Sequence, residues 1–359
     1  MKNLLAFIMA GGGQPAPIFG LMARRIAFTM AEILLSLTII GVVAAITLPS
    51  LTGNINERTW NTQRKALYSR ISQAVVLMPQ INGYGTLSTT GGYNDAANHW
   101  VESVRSSGNA TEAFLTNGLS KVLKLNNICG VNNLSDCGLP NTITKMGALT
   151  SGSGSMKVNL DHIKTIGSFN NLFAEPGCGH FYKLETYAAA FETANGESVL
   201  TYYNPWCSHN AHAYERGIYL PPTTITCVNM VYDLNGKKGP NTVGKDIGFM
   251  TVLYPTDPVV VMPMPTPKDA SSSIAYSSAS AKCKSMGDDF RVPTMNELAA
   301  VAINKILMAD GFPQSSGADY YWTSTLKSPG NPWTLYTGDI NFGSGSYGSV
   351  GLRCVKRID

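Results

Sequence analysis

The sequence predicts an α+β protein: one long N-terminal helix packed on an antiparallel β-sheet, followed by a second, smaller α+β unit. Three observations carry this expectation. An almost uncharged apolar run at residues 28–48 continues into an amphipathic stretch, giving a helix over residues 28–80. The 35 Gly and 19 Pro, with many Ser, Thr and Asn, mark frequent turns between short strands rather than a helical bundle. A Pro- and Ser-rich linker at residues 256–272 separates a β-rich region, 81–255, from a Cys-bounded segment, 273–359. A chain of 359 residues is long enough for two cores beside the helix. The net charge of +4 comes from scattered rather than clustered basic residues, so no nucleic-acid partner is predicted.

The run from Phe28 to Leu48, about 21 residues with Glu32 as its one charge, spans a bilayer core as a helix. Arg24 and Arg25 precede it, so the positive-inside rule places the N-terminus in the cytoplasm and the globular parts outside, a single-pass inner-membrane protein. A secretory signal peptide carries its small cleavage-site residue after the apolar run; here Ala27 stands before it. An ionised Glu32 in hydrocarbon costs several kcal/mol unless a partner compensates it. Pro49 removes a backbone donor and predicts a kink or local melting where the helix leaves the membrane. Beyond it Trp60, Leu67, Ile71, Val75 and Met78 keep a helical period, with Arg58, Arg64, Lys65 and Arg70 between them, until Pro79. The competing reading is an ordinary signal anchor whose Glu32 snorkels to water.

The string Ala27-Phe28-Thr29-Met30-Ala31-Glu32, with Pro49 further on, resembles the class III leader of type IV prepilins and type II secretion pseudopilins, with Ala where that family most often has Gly. The resemblance implies a leader at residues 1–27, with Met22 as an alternative start. It further implies cleavage between Ala27 and Phe28 by a prepilin peptidase, N-methylation of Phe28, and Glu32 as the residue that registers each incoming subunit. The implied partners are other pilin subunits, the peptidase and an inner-membrane assembly platform, and the implied fold is pilin-like.

In the middle region a helix is predicted near Ala110 to Leu125. Thr186 to Thr193 and Glu197 to Tyr203 flank Asn195-Gly196, a strong hairpin signal, and further strands are predicted over Thr223 to Tyr232 and Asp246 to Tyr254. The segment from Asp233 to Asp246 is similar to a loop found in many minor-pilin-like sequences. Asp233, Asn235, Asn241 and Asp246 can supply oxygen ligands to Ca²⁺, with Gly236 allowing the turn. The spacing is not that of an EF-hand, and a plain turn closed by Asn and Asp side chains is the preferred alternative. No other cofactor is predicted. Cys178, His180, Cys207, His209 and His212 recur at zinc-ligand spacing, but in an exported chain disulfides are the better reading: Cys129 with Cys137, and Cys178 with Cys207 or Cys227.

Towards the C-terminus, Phe290-Arg-Val-Pro-Thr-Met-Asn-Glu-Leu298, Tyr320-Tyr-Trp-Thr-Ser-Thr325 and Gly351-Leu-Arg-Cys-Val355 together resemble a C-type-lectin-like domain of bacterial collagen-like adhesins. That resemblance implies a disulfide between Cys283 and Cys354 closing the domain. A helix entered through Pro293 and Thr294 is expected to carry Glu297 near its positive end. Trp322, Trp333, Tyr336 and Tyr347 can stack on sugars or pack internally. No Ser-His-Asp order, nucleophile elbow or phosphate-binding glycine loop occurs, so an enzyme is not expected. The function expected is that of a structural subunit, a minor pilin or pseudopilin, in a type IV pilus or type II secretion-like filament. The alternative is a membrane-anchored adhesin that binds glycan or protein through its C-terminal domain.

Overall fold

The helix predicted over 28–80 is α1, Met30–Ile81, which ends two residues beyond Pro79 and passes through Pro49 unbroken. The computed structural model describes residues 30–81, 87, 110–145, 157–160, 188–203, 226–253, 258–263, 271–304, 307, 320–336, 341–343 and 348–356. The chain divides into two compact units, Met1–Ile55 and Asn56–Asp359.

In the first unit the described side chains from Met30 to Ala45 are exposed, Ala44 only partly so. Among the described residues no helix is long and apolar enough to cross a membrane. The expected single-pass inner-membrane span over 28–48, with a cytoplasmic N-terminus, is corrected on this finding.

The fold class is corrected with it. The architecture is carried mainly by antiparallel sheet, not by a membrane-spanning helix laid on one. The second unit holds a six-stranded sheet of order β1-β4-β5-β6-β7-β8. Its strands are β1 (Leu125–Cys129), β4 (Ala189–Thr193), β5 (Ser198–Tyr203), β6 (Thr226–Asp233), β7 (Ile247–Leu253) and β8 (Val259–Val261), and every neighbouring pair is antiparallel. Two further short strands, β2 (Thr142–Thr144) and β3 (Lys157–Asn159), pair with each other. The helix expected over Ala110–Leu125 is reduced to α2 (Ala110–Ala113), a π turn over Phe114–Gly118 and a 3-10 turn over Leu119–Lys121. Asn117 and Gly118 in mid-run are poor helix formers.

Period-2 alternation divides the large sheet into two apolar faces. One face presents Phe191, Val199, Tyr203, Val228, Met230, Tyr232, Met250 and Val252, and meets Leu67, Ile71, Ala74, Val75 and Met78 of α1 in one buried cluster. Those helix positions recur at spacings of three and four, the geometry of a single helical stripe. Burying each large apolar side chain contributes about 1.5–3 kcal/mol. Arg64, 1% exposed, crosses this interface and donates from Nε to Tyr232 Oη at 3.0 Å and from Nη1 to Asn61 Oδ1 at 2.6 Å. Gly248 lets Tyr232 pass: a Cβ there would lie 2.1 Å from Tyr232 Oη.

The opposite face presents Ala190, Leu200, Tyr202, Val231, Ile247 and Phe249, which share a second cluster with Met295, Leu298, Val301, Ala302 and Ile303. Those last residues belong to α4 (Met295–Ile303), so the C-terminal segment packs directly on the large sheet. Asn229 of β6 and Asn304, just beyond α4, exchange hydrogen bonds across the same interface at 2.9 and 3.1 Å. Residues 256–272, expected as a linker, contain β8 and the first two residues of β9 (Ser271–Ile274), so this stretch is partly sheet.

The C-terminal segment comprises β9 (Ser271–Ile274), α3 (Tyr276–Lys284), β10 (Phe290–Arg291), α4, β11 (Tyr320–Ser328), β12 (Asn331–Tyr336), β13 (Asn341–Gly343), β14 (Val350–Leu352) and β15 (Val355–Lys356). Its five-stranded sheet runs β13-β12-β11-β14-β9, with β10 and β15 as a separate pair. A disulfide joins Cys283 to Cys354 over 71 residues, and in the chain-entropy account a loop of that size contributes about 4 kcal/mol. Cys129 and Cys137 are also bonded, across 8 residues.

Candidate functional site

Three places predicted from the sequence can be compared with the structure: the start of α1, the loop between β6 and β7, and the C-terminal aromatics. Ala27 and Phe28 lie outside the described residues. Glu32 stands in the first turn of α1, where a carboxylate suits the positive end of the helix. Around it Met30, Ile33, Leu34, Leu35, Leu37, Ile39, Ile40, Val42 and Val43 are 49–80% exposed. At 100° per residue those positions surround the helix on all sides, so this stretch lacks the polar face of an ordinary surface helix.

The β6–β7 loop is shaped by its acidic ends. Asp233 closes β6 and Asp246 precedes β7, and both are 0% exposed. Asp246 accepts the backbone N–H of Asn241 on Oδ2 and of Thr242 on Oδ1, both at 2.8 Å, which holds Asn241 at φ +49°, a conformation Asn tolerates. Asp233 Oδ1 accepts the N–H of Asn235 at 3.0 Å. Asn235 Nδ2 donates to the Gly239 carbonyl at 3.3 Å, which fixes the orientation of that amide. Gly236 takes φ +64°, as the turn requires. Thr144 of β2 donates its N–H to the Asn241 carbonyl at 2.8 Å and accepts that of Val243 at 3.1 Å, so the loop is clamped from the side.

These bonds leave oxygens over. Asp233 Oδ2, Asn235 Oδ1 and Asn241 Oδ1 are buried without a partner, and so is Ser198 Oγ on β5. A buried acceptor left unsatisfied costs about 1–3 kcal/mol. Burial pushes the Asp233 carboxyl up to about 7; the neighbouring charge of Asp246 adds to the rise, and the N–H groups of Asn235 and Gly236 oppose it. Of the four residues predicted as oxygen ligands, three carry a buried unpartnered oxygen, and Asp246 uses both oxygens on backbone.

In the C-terminal segment Trp322 is 2% exposed and donates from Nε1 to the Ile274 carbonyl at 2.7 Å, with Tyr276 packed against it. It is a core residue and has no free face for a sugar. Trp333 is half-buried, with Lys327 Nζ 5.4 Å from its ring centre. The Tyr336 side chain and Tyr347 lie outside the described residues. Thr294 and Glu297 form the expected capping box at the start of α4, and Arg291 grips Glu297 with two bonds of 2.6 and 2.7 Å. Burial works against the Glu297 charge, but the hydrogen bonds from Arg291 and Thr294 and the Arg291 charge outweigh it and hold the carboxyl below its ordinary value.

No protein-family model matches this chain, and no curated protein is significantly similar to it. Its sites therefore stand on their own geometry. Cys227 is disulfide-bonded, while Cys178, His180, Cys207, His209 and His212 lie outside the described residues. Among the described residues no three His, Cys, Asp or Glu side chains gather as a metal-binding group. Sequence reasoning missed Ser198, whose register opposite Asp233 only pairing reveals, and the buried role of Arg64, which the sequence shows only as one of several basic residues between the apolar positions of α1.

Proposed function

We propose that the chain is a structural subunit of a filament of the type IV pilus or type II secretion kind. The observation that supports this reading is the start of α1: large apolar side chains exposed on every side of the helix, with Glu32 in its first turn. Such a surface is stable only when covered, and copies of the same helix, packed side by side, would cover it. Burial of each Leu, Ile or Val there contributes about 1.5–3 kcal/mol. A prepilin peptidase cutting between Ala27 and Phe28 would free an α-amino group four residues before Glu32, and that amine on one subunit would neutralise Glu32 on the next. The disulfides suit an oxidising space. The C-terminal segment, packed on the large sheet, adds bulk that fits a low-abundance or tip position. The glycan-binding alternative loses Trp322, which is internal.

The test is the mass and N-terminal sequence of the mature chain made with and without a prepilin peptidase. The expected product begins at an N-methylated Phe28 only when the peptidase is present. A chain that keeps residues 1–27 in its presence would overturn the reading.

A further inference from the structure

The β6–β7 loop carries an inference independent of filament assembly. Asp233 Oδ2, Asn235 Oδ1, Asn241 Oδ1 and Ser198 Oγ are buried and unpartnered among the described residues. Ser198 stands opposite Asp233 across β5 and β6, so both side chains leave the sheet on one face. A Cβ on Gly236 would come within 3.5 Å of Ser198 Oγ, which places that hydroxyl beside the loop. Asn235 Oδ1, Asn241 Oδ1 and the ionised Asp233 Oδ2 only accept, so they cannot satisfy one another, and the Ser198 hydroxyl can donate to just one of them; a cation seated among them would satisfy all four.

The charge count points the same way. Asp233 and Asp246 are both fully buried, and among the described residues neither has an ion-pair partner. A divalent ion balances the two carboxylates, and a monovalent one does not. Four oxygen donors with no nitrogen or sulfur select a hard cation, and mostly neutral ligands in an irregular loop suit Ca²⁺ better than Mg²⁺, which demands a near-ideal octahedron and gives up water reluctantly. We propose that this loop binds one Ca²⁺ through Asp233, Asn235, Asn241 and Ser198, with water completing the shell and Asp246 balancing charge while holding the loop backbone.

The test uses the full-length purified chain, stripped with EGTA, in calorimetric titration with CaCl₂ and in thermal melts with and without Ca²⁺. Expected are one Ca²⁺ per chain, a higher melting temperature in Ca²⁺ than in EGTA, and Mg²⁺ binding at least about tenfold weaker. Asp233→Asn removes one of two buried like charges while keeping the shape, so it should fold in EGTA at least as well as the parent, yet lose at least about tenfold in Ca²⁺ affinity. Absence of binding heat up to about 10 mM Ca²⁺, above the weak range for extracellular sites, together with identical melts, would overturn the proposal. So would undiminished Ca²⁺ binding by the folded Asp233→Asn variant.

Discussion

The two stretches of α1 are equally regular and both rich in apolar residues, yet their surfaces differ. From Met30 to Ala45 the apolar side chains surround the helix and are exposed; from Leu67 to Met78, Leu67, Ile71, Ala74, Val75 and Met78 form one stripe buried on the large sheet, with Tyr68, Val76 and Leu77 outside it. Between Leu67 and Met78 the remaining positions carry Ser69, Arg70, Ser72 and Gln73 beside Tyr68, Val76 and Leu77, whereas the polar residues of Met30 to Ala45 are only Glu32, Ser36 and Thr38. The lesson is that hydropathy says how much apolar surface a helix has, and the pattern says whether its own chain can cover it.

That comparison can be sharpened by substitution. Leu67→Ala should cost the second unit about 2–5 kcal/mol, read as a lower denaturant midpoint, because it opens a cavity between helix and sheet. Ile40→Ala, at a site 63% exposed, should change chain stability by under about 0.5 kcal/mol. If the two shifts were equal, the distinction between the stretches would fail. Gly248→Ala should cost about 1–3 kcal/mol, since its Cβ must push Tyr232 off Arg64; a substitution without effect would mean that this buried contact contributes nothing.

A smaller, pH-dependent effect than at Leu67 lies at α4. The carboxyl of Glu297 is lowered in the folded protein, so its stabilisation is fully present above the unfolded value of about 4.3 and is lost as pH falls through the folded value. Arg291 is partly exposed, which limits the contribution to about 1 kcal/mol. Glu297→Gln should therefore be less stable than the parent at neutral pH and approach it in acid, as followed by melting across pH.

Much of the fold was legible where a local rule decides it. Asn195-Gly196 announced the β4–β5 hairpin, Gly196 adopts φ +85°, and Thr294 with Glu297 announced the start of α4. The helical stripe from Leu67 to Met78 was equally readable. What stayed hidden depends on contacts distant in sequence. The packing of α4 on the large sheet joins residues such as Phe249 and Leu298, and the buried role of Arg64 depends on Tyr232, 168 positions away. The membrane span was inferred from the length and hydropathy of residues 28–48, with Arg24 and Arg25 setting its orientation, and such a count takes no account of what covers the apolar residues. At the β6–β7 loop residue types suggested oxygen ligands, but only the hydrogen-bond pattern separates the three that keep an unpartnered oxygen from Asp246, which does not.

The central claim is that the start of α1 is covered by other copies of the chain. It is tested most directly by placing a photo-crosslinking residue at position 37 or at position 67 of the full-length chain, in cells that make the assembly machinery. The account predicts chain-to-chain products from position 37, where Leu37 is 60% exposed, and none from position 67, where Leu67 is fully buried. A well-expressed chain that gave no self-crosslinks from position 37 would contradict it.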